Sequence, residues 1–385
     1  MGRLRADVGA GAGVGAAPGQ ATAARLRCPR KSVGTQHRRL PTVEAMQIRP
    51  VELDDDAEFR RFHEVMDSAE RFERPLAGMW SLEEARILFT EGDPAEHVWG
   101  VVAVDGDEIV GAGMASLPKH DNRHMAWVMP WVEPQRRRRG IGSVVLEHLL
   151  ERCRAERRTH HIIETSYPFE RRDDHPYRQF AEKHGFTLAN TEIRRHLPLP
   201  VDEAELDRLI ADSAAHHEGY CIVSFDGPIP DDLVDSLCRT KSQLGVDAPT
   251  GTLDFEEERI DRDVLREREA QLRRQGRTMI STLAVAPDGE VVAYNDLVIP
   301  RDDPPNVYQW GTLVRRDHRG HRLGMAVKAR GLKQLQAHLG DALGTTRTRI
   351  STCNAEQNAH MVGINERLGF RPVEVSPCFL RVDAS

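Results

Sequence analysis

Two short stretches of this 385-residue chain combine arginine and glycine in a way that suits the binding of an anion. The first reads Arg136-Arg137-Arg138-Arg139-Gly140-Ile141-Gly142 and stands directly before an apolar-periodic segment that predicts a helix. Glycine lets the backbone turn tightly and approach a ligand, and the first N–H groups of a helix have no partner within the helix. With the positive end of the helix dipole and the guanidinium groups, they predict a site for phosphate or pyrophosphate.

A run of four arginines is also typical of a solvated surface. The position of this run between a predicted strand and a Gly-x-Gly helix start favours the anion site. The loop lacks the Gly-x-x-x-x-Gly-Lys-Ser/Thr pattern of nucleotide-binding P-loops and the Gly-x-Gly-x-x-Gly fingerprint of dinucleotide-binding folds. The sequence therefore indicates a phosphate cradle of another kind.

The same arrangement occurs a second time, as Arg319-Gly320-His321-Arg322-Leu323-Gly324. Each loop is followed by a helix, a strand, another helix and a Gly-Phe pair. From Gly142 to Gly185-Phe186 the distance is 43 residues, and from Gly324 to Gly369-Phe370 it is 45. Two motifs that recur in order at nearly equal spacing predict a duplicated domain.

The elements that must position these loops are similar in both halves. Each begins with a strand hairpin, turning at Asp105-Gly106 in the first half and at Asp288-Gly289 in the second. A further strand leads into the loop, and strands then alternate with helices. This order predicts the α/β class, as an α+β mixed sheet with helices on its faces. We expect a leader over 1–45, domains over 46–200 and 220–385, and a linker helix over 201–219.

Charge is unevenly distributed along the chain. Residues 1–45 carry a surplus of +6 and no periodic apolar pattern, which predicts a disordered leader, and the remaining chain carries about −13. An acidic body argues against nucleic acid and anionic membranes as partners. The six cysteines are widely spaced, which favours a reducing, cytoplasmic location, and the paired histidines lack metal-ligand context, so we expect no metal.

The first loop matches the Q/R-x-x-G-x-G/A signature of the GCN5-related N-acetyltransferases (GNAT), and the closing Gly185-Phe186 matches that family as well. The second half resembles the family through its own loop, with Arg322 in place of the first signature glycine, and through Asn365-Glu366-Arg367-Leu368-Gly369-Phe370. The chain from Met46 onward thus resembles two tandem GNAT-like acyl-CoA acyltransferase domains, similar to actinobacterial mycothiol synthase-like acetyltransferases.

The resemblance implies that acetyl-CoA binds as co-substrate between a fourth and a fifth strand that splay apart. Its phosphates would lie on the loops, and backbone amides near Val132 and Val314 would bind the pantetheine arm. The residues expected to bind acetyl-CoA are Val132, Arg137, Arg138, Arg139, Gly140, Ile141, Gly142, Ser143, Val314, Arg319, Gly320, His321, Arg322, Leu323, Gly324, Asn354 and Asn358.

The implied chemistry is direct attack of an amine on the thioester, assisted by a base and by an acid for the departing thiolate. Many family members place a tyrosine four residues before the closing glycine, whereas this chain has Ala181 and Asn365 there. Tyr177, one turn earlier, is the candidate acid, with helix packing as its alternative role. Glu164 is the candidate base, with pairing to a nearby arginine as its alternative.

These features predict an N-acetyltransferase that acts on a primary amine of a small molecule, as a monomer or homodimer. The alternative is a non-catalytic acyl-CoA-binding sensor or scaffold. Either half could hold the working site. The acceptor pocket is expected near Phe72–Trp80 and Asp247–Asp254, and a mycothiol-type amine, an aminoglycoside, a polyamine and a peptide terminus all remain open as acceptors.

Overall fold

A computed structural model describes residues 46–383 of the chain. The leader expected over residues 1–45 lies outside the described residues. The strands of the N-terminal half are β1 (Gln47–Pro50), β2 (Glu96–Asp105), β3 (Glu108–Pro118), β4 (Met125–Val132), β5 (His160–Glu164), β6 (Tyr167–Pro168) and β7 (Thr187–Pro198). Its helices are α1 (Asp56–Glu70), α2 (Leu82–Glu91), α3 (Ile141–Ala155) and α4 (Pro176–Lys183).

The C-terminal half repeats this order. Its helices are α5 (Glu203–Ala214), α6 (Asp231–Ser242), α7 (Leu244–Asp247), α8 (Arg262–Arg274), α9 (Leu323–Leu339) and α10 (Ala359–Leu368). Its strands are β8 (Cys221–Asp226), β9 (Arg277–Val285), β10 (Val291–Pro300), β11 (Asn306–Val314), β12 (Arg349–Ala355) and β13 (Arg371–Val382). Helix α5 lies within the stretch 201–219 assigned to a linker, and the domain boundaries themselves remain predictions.

The two halves share one mixed sheet because each donates its last strand to the other. The order across the sheet is β1-β2-β3-β4-β5-β13-β7-β12-β11-β10-β9-β8, with β6 paired to β13. Strand β13, from the end of the chain, thus pairs antiparallel with β5 of the N-terminal half. Strand β7, from the N-terminal half, pairs antiparallel with β12 of the C-terminal half. Neither half completes its sheet with its own strands alone.

In each half one parallel pair of strands diverges at the same place. Strands β4 and β5 are paired only as far as Trp127 and Ile162, and β11 and β12 only as far as Gln309 and Thr352. Trp127 and Gln309 are equivalent when the two loops are aligned. Beyond these residues β4 and β11 each run on toward an arginine-glycine loop, so both halves have the predicted gap between a fourth and a fifth strand.

Helices cover both faces of the sheet. In the N-terminal half α1 and α2 pack on one face, and α3 with the closing Phe186 packs on the other. In the C-terminal half α6 and α8 correspond to the first pair, and α9 with α10 corresponds to the second. Burial of the apolar face of each helix against the sheet fixes the loops at the starts of α3 and α9 relative to the gaps.

Candidate active site

Each arginine-glycine loop has two residues in the left-handed backbone region. The N-terminal loop has arginine at the first of these positions and glycine at the second, and the C-terminal loop has the reverse. In the N-terminal loop Arg138 has φ 64° and Gly140 has φ 84°, whereas in the C-terminal loop Gly320 has φ 91° and Arg322 has φ 53°. The left-handed region costs a non-glycine residue about 1–2 kcal/mol. Arg322 therefore takes the conformation of the signature glycine, and the loop keeps its path.

Helices α3 and α9 begin directly at these loops. Gly140 and Arg322 are the N-cap residues, and neither donates or accepts a side-chain hydrogen bond that would cap the first turn. The first-turn N–H groups are thus left for an anion, at the positive end of each helix. The predicted binding residues in these turns are Ile141, Gly142 and Ser143 in α3, and Leu323 and Gly324 in α9.

An equivalent arginine ties each loop to the end of the preceding strand. Arg137 Nε donates to the carbonyl oxygen of Val132 at 3.1 Å, and Arg319 Nε donates to that of Val314 at 3.3 Å. These two valines were expected to contact the pantetheine arm through their backbone. The structure brings each predicted arginine and valine together, with the carbonyl oxygen of the valine already bonded to the arginine.

The rest of the Arg137 guanidinium is held inside the N-terminal half. Its Nη1 donates to Tyr177 Oη at 2.8 Å and its Nη2 to the carbonyl oxygen of Ala69 at 3.1 Å. The guanidinium also lies 4.5 Å from the centre of the Phe72 ring, a cation–π distance. Arg139 donates to the carbonyl oxygen of Gln135 at 3.3 Å. These contacts hold the Arg137 guanidinium against the protein itself.

The side chains of the C-terminal loop are more exposed. Arg319 Nη2 lies 3.0 Å from Asp247 Oδ2, and the Arg319 side chain is half exposed. Arg322 Nη1 donates to the carbonyl oxygen of Asp212 at 3.3 Å, and His321 Nδ1 lies 3.2 Å from that of His216. Asp247 is buried, and Arg316 Nε lies 2.6 Å from its other carboxylate oxygen, so Asp247 keeps one partner if Arg319 turns to a bound phosphate.

A cavity of about 250 Å³ lies at the gap between β11 and β12. Lys328, Asn358 and Met361 line it from the α9 and α10 side of the sheet, and residues 241–260 line it from the α6 and α8 side. The cavity therefore passes through the sheet. Strands β7 and β13 and the end of β5 form its remaining wall, so residues of both halves enclose it.

The structure places three predicted site residues at this cavity. Glu164, Asn354 and Asn358 line it, and Glu164 Oε1 lies 3.9 Å from Cys378 Sγ. Glu164 belongs to the N-terminal half, yet it faces the cavity of the C-terminal half. Of the two segments expected near the acceptor, 247–254 contributes to the lining and 72–80 does not.

Tyr177, the other predicted catalytic residue, does not line this cavity. Its hydroxyl is bonded to Arg137, and burial raises its pKa above the ordinary value for tyrosine. The structure thus does not bring Tyr177 and Glu164 to the same cavity, and the catalytic role of each remains a prediction.

A buried lysine that the sequence analysis missed lies at the same gap. Lys328 is 1% exposed, and its Nζ donates to Asn365 Oδ1 at 3.0 Å. Asn365 Nδ2 in turn donates to Asn354 Oδ1 at 3.1 Å. Burial lowers the pKa of Lys328 to about 7. The available signal was the alignment of the loops, which puts Lys328 on Leu146, in the buried stripe of an equivalent helix.

Other types of site find no support within the described part of the chain. No group of three or more histidine, cysteine, aspartate or glutamate side chains among residues 46–383 is arranged to hold a metal ion. Over the same residues, no helix combines the length and the apolar character that a membrane crossing requires.

Residues 59–186 match the model of the acetyltransferase (GNAT) family. A tandem GNAT protein from the clavulanic acid biosynthesis pathway has a similar structure, with 24% identity, a TM-score of 0.67, and coverage of 88% of this chain and 99% of that one. A GCN5-related N-acetyltransferase from Sphaerobacter thermophilus shares 15% identity at a TM-score of 0.58, covering 89% and 97%.

A more distant similarity links the chain to N-myristoyltransferase from Saccharomyces cerevisiae, with 10% identity, a TM-score of 0.52, and coverage of 90% and 83%. No curated protein sequence matched this chain. These structures share the fold of the whole described chain, whereas the family model matches part of the N-terminal half.

Proposed function

We propose that this chain, whose residues 59–186 match the GNAT family of acetyltransferases and whose structure shares the fold of a tandem GNAT protein, transfers the acetyl group of acetyl-CoA to a primary amine of a small molecule. We further propose that this transfer takes place in the C-terminal half. The observation that carries the proposal is the cavity through the gap between β11 and β12, since it joins the side of the sheet that holds the phosphate loop to the opposite side.

The residues at this gap suit the pantetheine arm of acetyl-CoA. Strand β11 continues to Val314 although its pairing with β12 ends at Gln309, so the backbone groups of residues 311–314 on that edge have no ladder partner in β12. Gln309 is 3% exposed, and its Oε1 is buried without a hydrogen-bond partner. Such an atom is costly to leave unpaired, and the amide N–H groups of pantetheine are donors of the required kind.

The opposite side of the cavity suits an amine. Glu164, Glu192 and Glu258 line the cavity, together with the polar side chains of Asn190 and Ser376. Carboxylates attract an ammonium group and accept the proton that it must lose before its nitrogen attacks. The volume of about 250 Å³ fits a small acceptor, or one end of a larger one.

Acetyl-CoA supplies the thioester, and the protein contributes positioning and proton transfer. The first turn of α9 holds the phosphates, the end of β11 that has diverged from β12 aligns the arm, and the carboxylates orient the amine. Holding two reactants in a reactive arrangement contributes about 7–11 kcal/mol in the most favourable cases. Direct transfer needs no covalent intermediate on the enzyme.

The proposal is tested by CoA release from acetyl-CoA in the presence of an amino sugar, an aminoglycoside, a polyamine and a dipeptide, using the full chain. Gly324→Asp places a carboxylate in the phosphate-binding turn of α9, and Gly142→Asp does the same in α3. An acid in a first helical turn is compatible with the helix, so both variants should fold. A Cβ at position 324 would lie 3.0 Å from Ile364 Cδ1, the movable end of a side chain.

We expect Gly324→Asp to abolish amine-dependent CoA release and Gly142→Asp to retain it. Loss in Gly142→Asp alone would place the reaction in the N-terminal half and contradict the proposal. Binding of acetyl-CoA by calorimetry without CoA release to any amine would instead support the alternative of an acyl-CoA-binding sensor.

A further inference from the structure

The two halves differ sharply at the point where the leaving sulfur would lie. In the N-terminal half the aligned positions hold Leu146 and Ala181, which belong to one apolar cluster. In the C-terminal half they hold Lys328 and Asn365, which are 1% and 0% exposed. Burying an ammonium group and a carboxamide is costly. One half thus keeps an apolar pair and the other a buried polar pair at aligned positions. The cost of burying the polar pair indicates that it has a chemical role.

The position of Lys328 identifies the part of the reaction it can reach. It lies on α9, the helix that begins at the phosphate loop, and lines the cavity on the α9 and α10 side. The carboxylates Glu192 and Glu258 belong to the opposite part of the cavity, on β7 and on the segment that precedes α8. A CoA chain that starts at the α9 loop brings its sulfur to the gap from the α9 side. Lys328 therefore lies on the side of the leaving group.

The hydrogen bonds around Lys328 orient it as a donor. Asn365 Nδ2 is occupied by Asn354 Oδ1, so the carboxamide oxygen of Asn365 must face Lys328 and accept from it. Asn354 Oδ1 also accepts from Arg195 Nη1 at 3.1 Å, which fixes Asn354 in turn. One of the three ammonium protons is bonded to Asn365, and the other two remain for a group that enters the cavity.

We propose that Lys328 is the proton donor to the departing thiolate of CoA in the C-terminal half. When the amine nitrogen bonds to the acetyl carbon and the C–S bond breaks, the sulfur takes the bonding electron pair and a proton from Lys328 Nζ. The amine loses one proton to a carboxylate or water, so the products are the N-acetyl compound and neutral CoA thiol, and Lys328 is reprotonated from solvent. The inference rests on the function proposed above.

The electrostatic surroundings of Lys328 agree with this role. Burial alone lowers its pKa, to about 7, with no contribution from a neighbouring charge. An acid with a pKa near the working pH is both protonated and able to release its proton. The other titratable side chains that line the cavity are Glu164, Glu192, Arg194, Lys241, Glu258, Arg268, Cys353 and Cys378.

The test compares Lys328→Met, Lys328→Arg and the wild-type chain, with Leu146→Met as the matched control in the N-terminal half. Methionine fills a similar volume but has no acidic proton to donate. Arginine keeps the positive charge but does not release its proton at these pH values. The probes are acetyl-CoA and hydroxylamine, a nucleophile small enough for any acceptor cavity. The readouts are kcat from pH 5.5 to 9.5, the Kd of acetyl-CoA by calorimetry, and Tm.

We expect kcat of Lys328→Met to fall by about 10²–10⁴, the usual contribution of a positioned acid. The Kd of acetyl-CoA should stay within about threefold. The wild-type kcat should decline above pH 7, and this decline should be absent in Lys328→Met. Lys328→Arg should not restore kcat, and Leu146→Met should match the wild type. A merely structural lysine would leave the pH profile of kcat intact, whatever its effect on Tm.

Wild-type kcat and an unchanged pH profile in Lys328→Met would overturn this inference alone. A wild-type chain that binds acetyl-CoA but releases no CoA would overturn both this inference and the proposed function. Restoration of kcat by Lys328→Arg would show that the charge of the side chain, and not its proton, is what matters, and would also overturn it.

Discussion

The substitution Lys328→Met should make the protein more stable at neutral pH although it removes a hydrogen bond. Burial shifts the pKa of Lys328 from 10.5 to about 7, and at 1.36 kcal/mol per pH unit this corresponds to a penalty of about 5 kcal/mol for the charged side chain. Methionine removes that penalty but leaves Asn365 Oδ1 without its donor, which costs about 1–3 kcal/mol. We expect a net gain of about 2–4 kcal/mol at pH 7.

The gain should depend on pH with a definite sign. Between pH 7 and 10.5 the unfolded lysine binds a proton that the folded one does not, so the wild-type free energy of unfolding rises with pH across this window. The methionine variant lacks that rise. Its advantage should therefore shrink as the pH increases and disappear before pH 10.5.

The assay is urea unfolding followed by circular dichroism at pH 6, 7, 8, 9 and 10, extrapolated linearly to water. Leu146→Met serves as the control, since it changes a buried side chain of the equivalent helix without changing a charge, and its effect should be independent of pH. A constant difference between Lys328→Met and the wild type over this range would refute the argument, because it would mean that burial does not neutralise Lys328.

Three further predictions concern other buried or strained groups. Gly140→Ala should lower the free energy of unfolding by about 1 kcal/mol in urea, since position 140 has φ 84°. Burial lowers the pKa of His196 to about 3, so wild-type stability should fall as the pH drops below 6.5; His196→Gln should remove about 1–2 kcal/mol of that loss at pH 5, measured by thermal unfolding. Arg74→Met should destabilise by about 3 kcal/mol in urea because Glu70 loses a partner at 2.7 Å and the buried Glu374 loses one at 3.8 Å, and Arg74→Met/Glu374→Gln should recover part of the loss.

The sequence was sufficient to predict the duplicated layout and the mixed sheet. Nearly equal spacing from Gly142 and Gly324 to the closing Gly-Phe pairs identified both halves, because loop, helix and strand lengths are local properties of the sequence. The family model confirms the GNAT resemblance over residues 59–186, and the tandem GNAT structure confirms the fold. The particular likeness to mycothiol synthase-like enzymes, and the monomer or homodimer state, remain predictions.

The exchange of β7 and β13 could not be predicted from the sequence. A strand shows in its residues which face is buried, but not which of several similar strands will lie beside it. The same limit explains Glu164, which was expected to serve its own half and faces the cavity of the other. Lys328 was overlooked because a single lysine in a helix usually reaches solvent, and only the sheet and α10 around it show that it is buried.

At Arg322 the sequence suggested a change in the loop that the structure does not show. The sequence argument treats glycine as the residue that the loop requires, and arginine at the same position could equally have meant a changed loop. The structure gives it φ 53° in the place where Gly140 has φ 84°. Backbone conformation is set here by the strand and the helix on either side of the loop, which hold the arginine in a region it would rarely adopt alone.

The shared sheet has a consequence for how the chain folds as it is made. The strand that fills the position between β5 and β7 is β13, which begins about 170 residues after β7 ends. At roughly 5–20 residues per second, a ribosome needs roughly 10–30 s to supply it. Until then the edges of β5 and β7 have open hydrogen-bonding groups, of the kind that pair with other nascent chains. The N-terminal half therefore cannot complete its sheet until β13 has been synthesised. A chaperone that shields the edges of β5 and β7 during synthesis would increase the yield of folded protein more than one that acts after release.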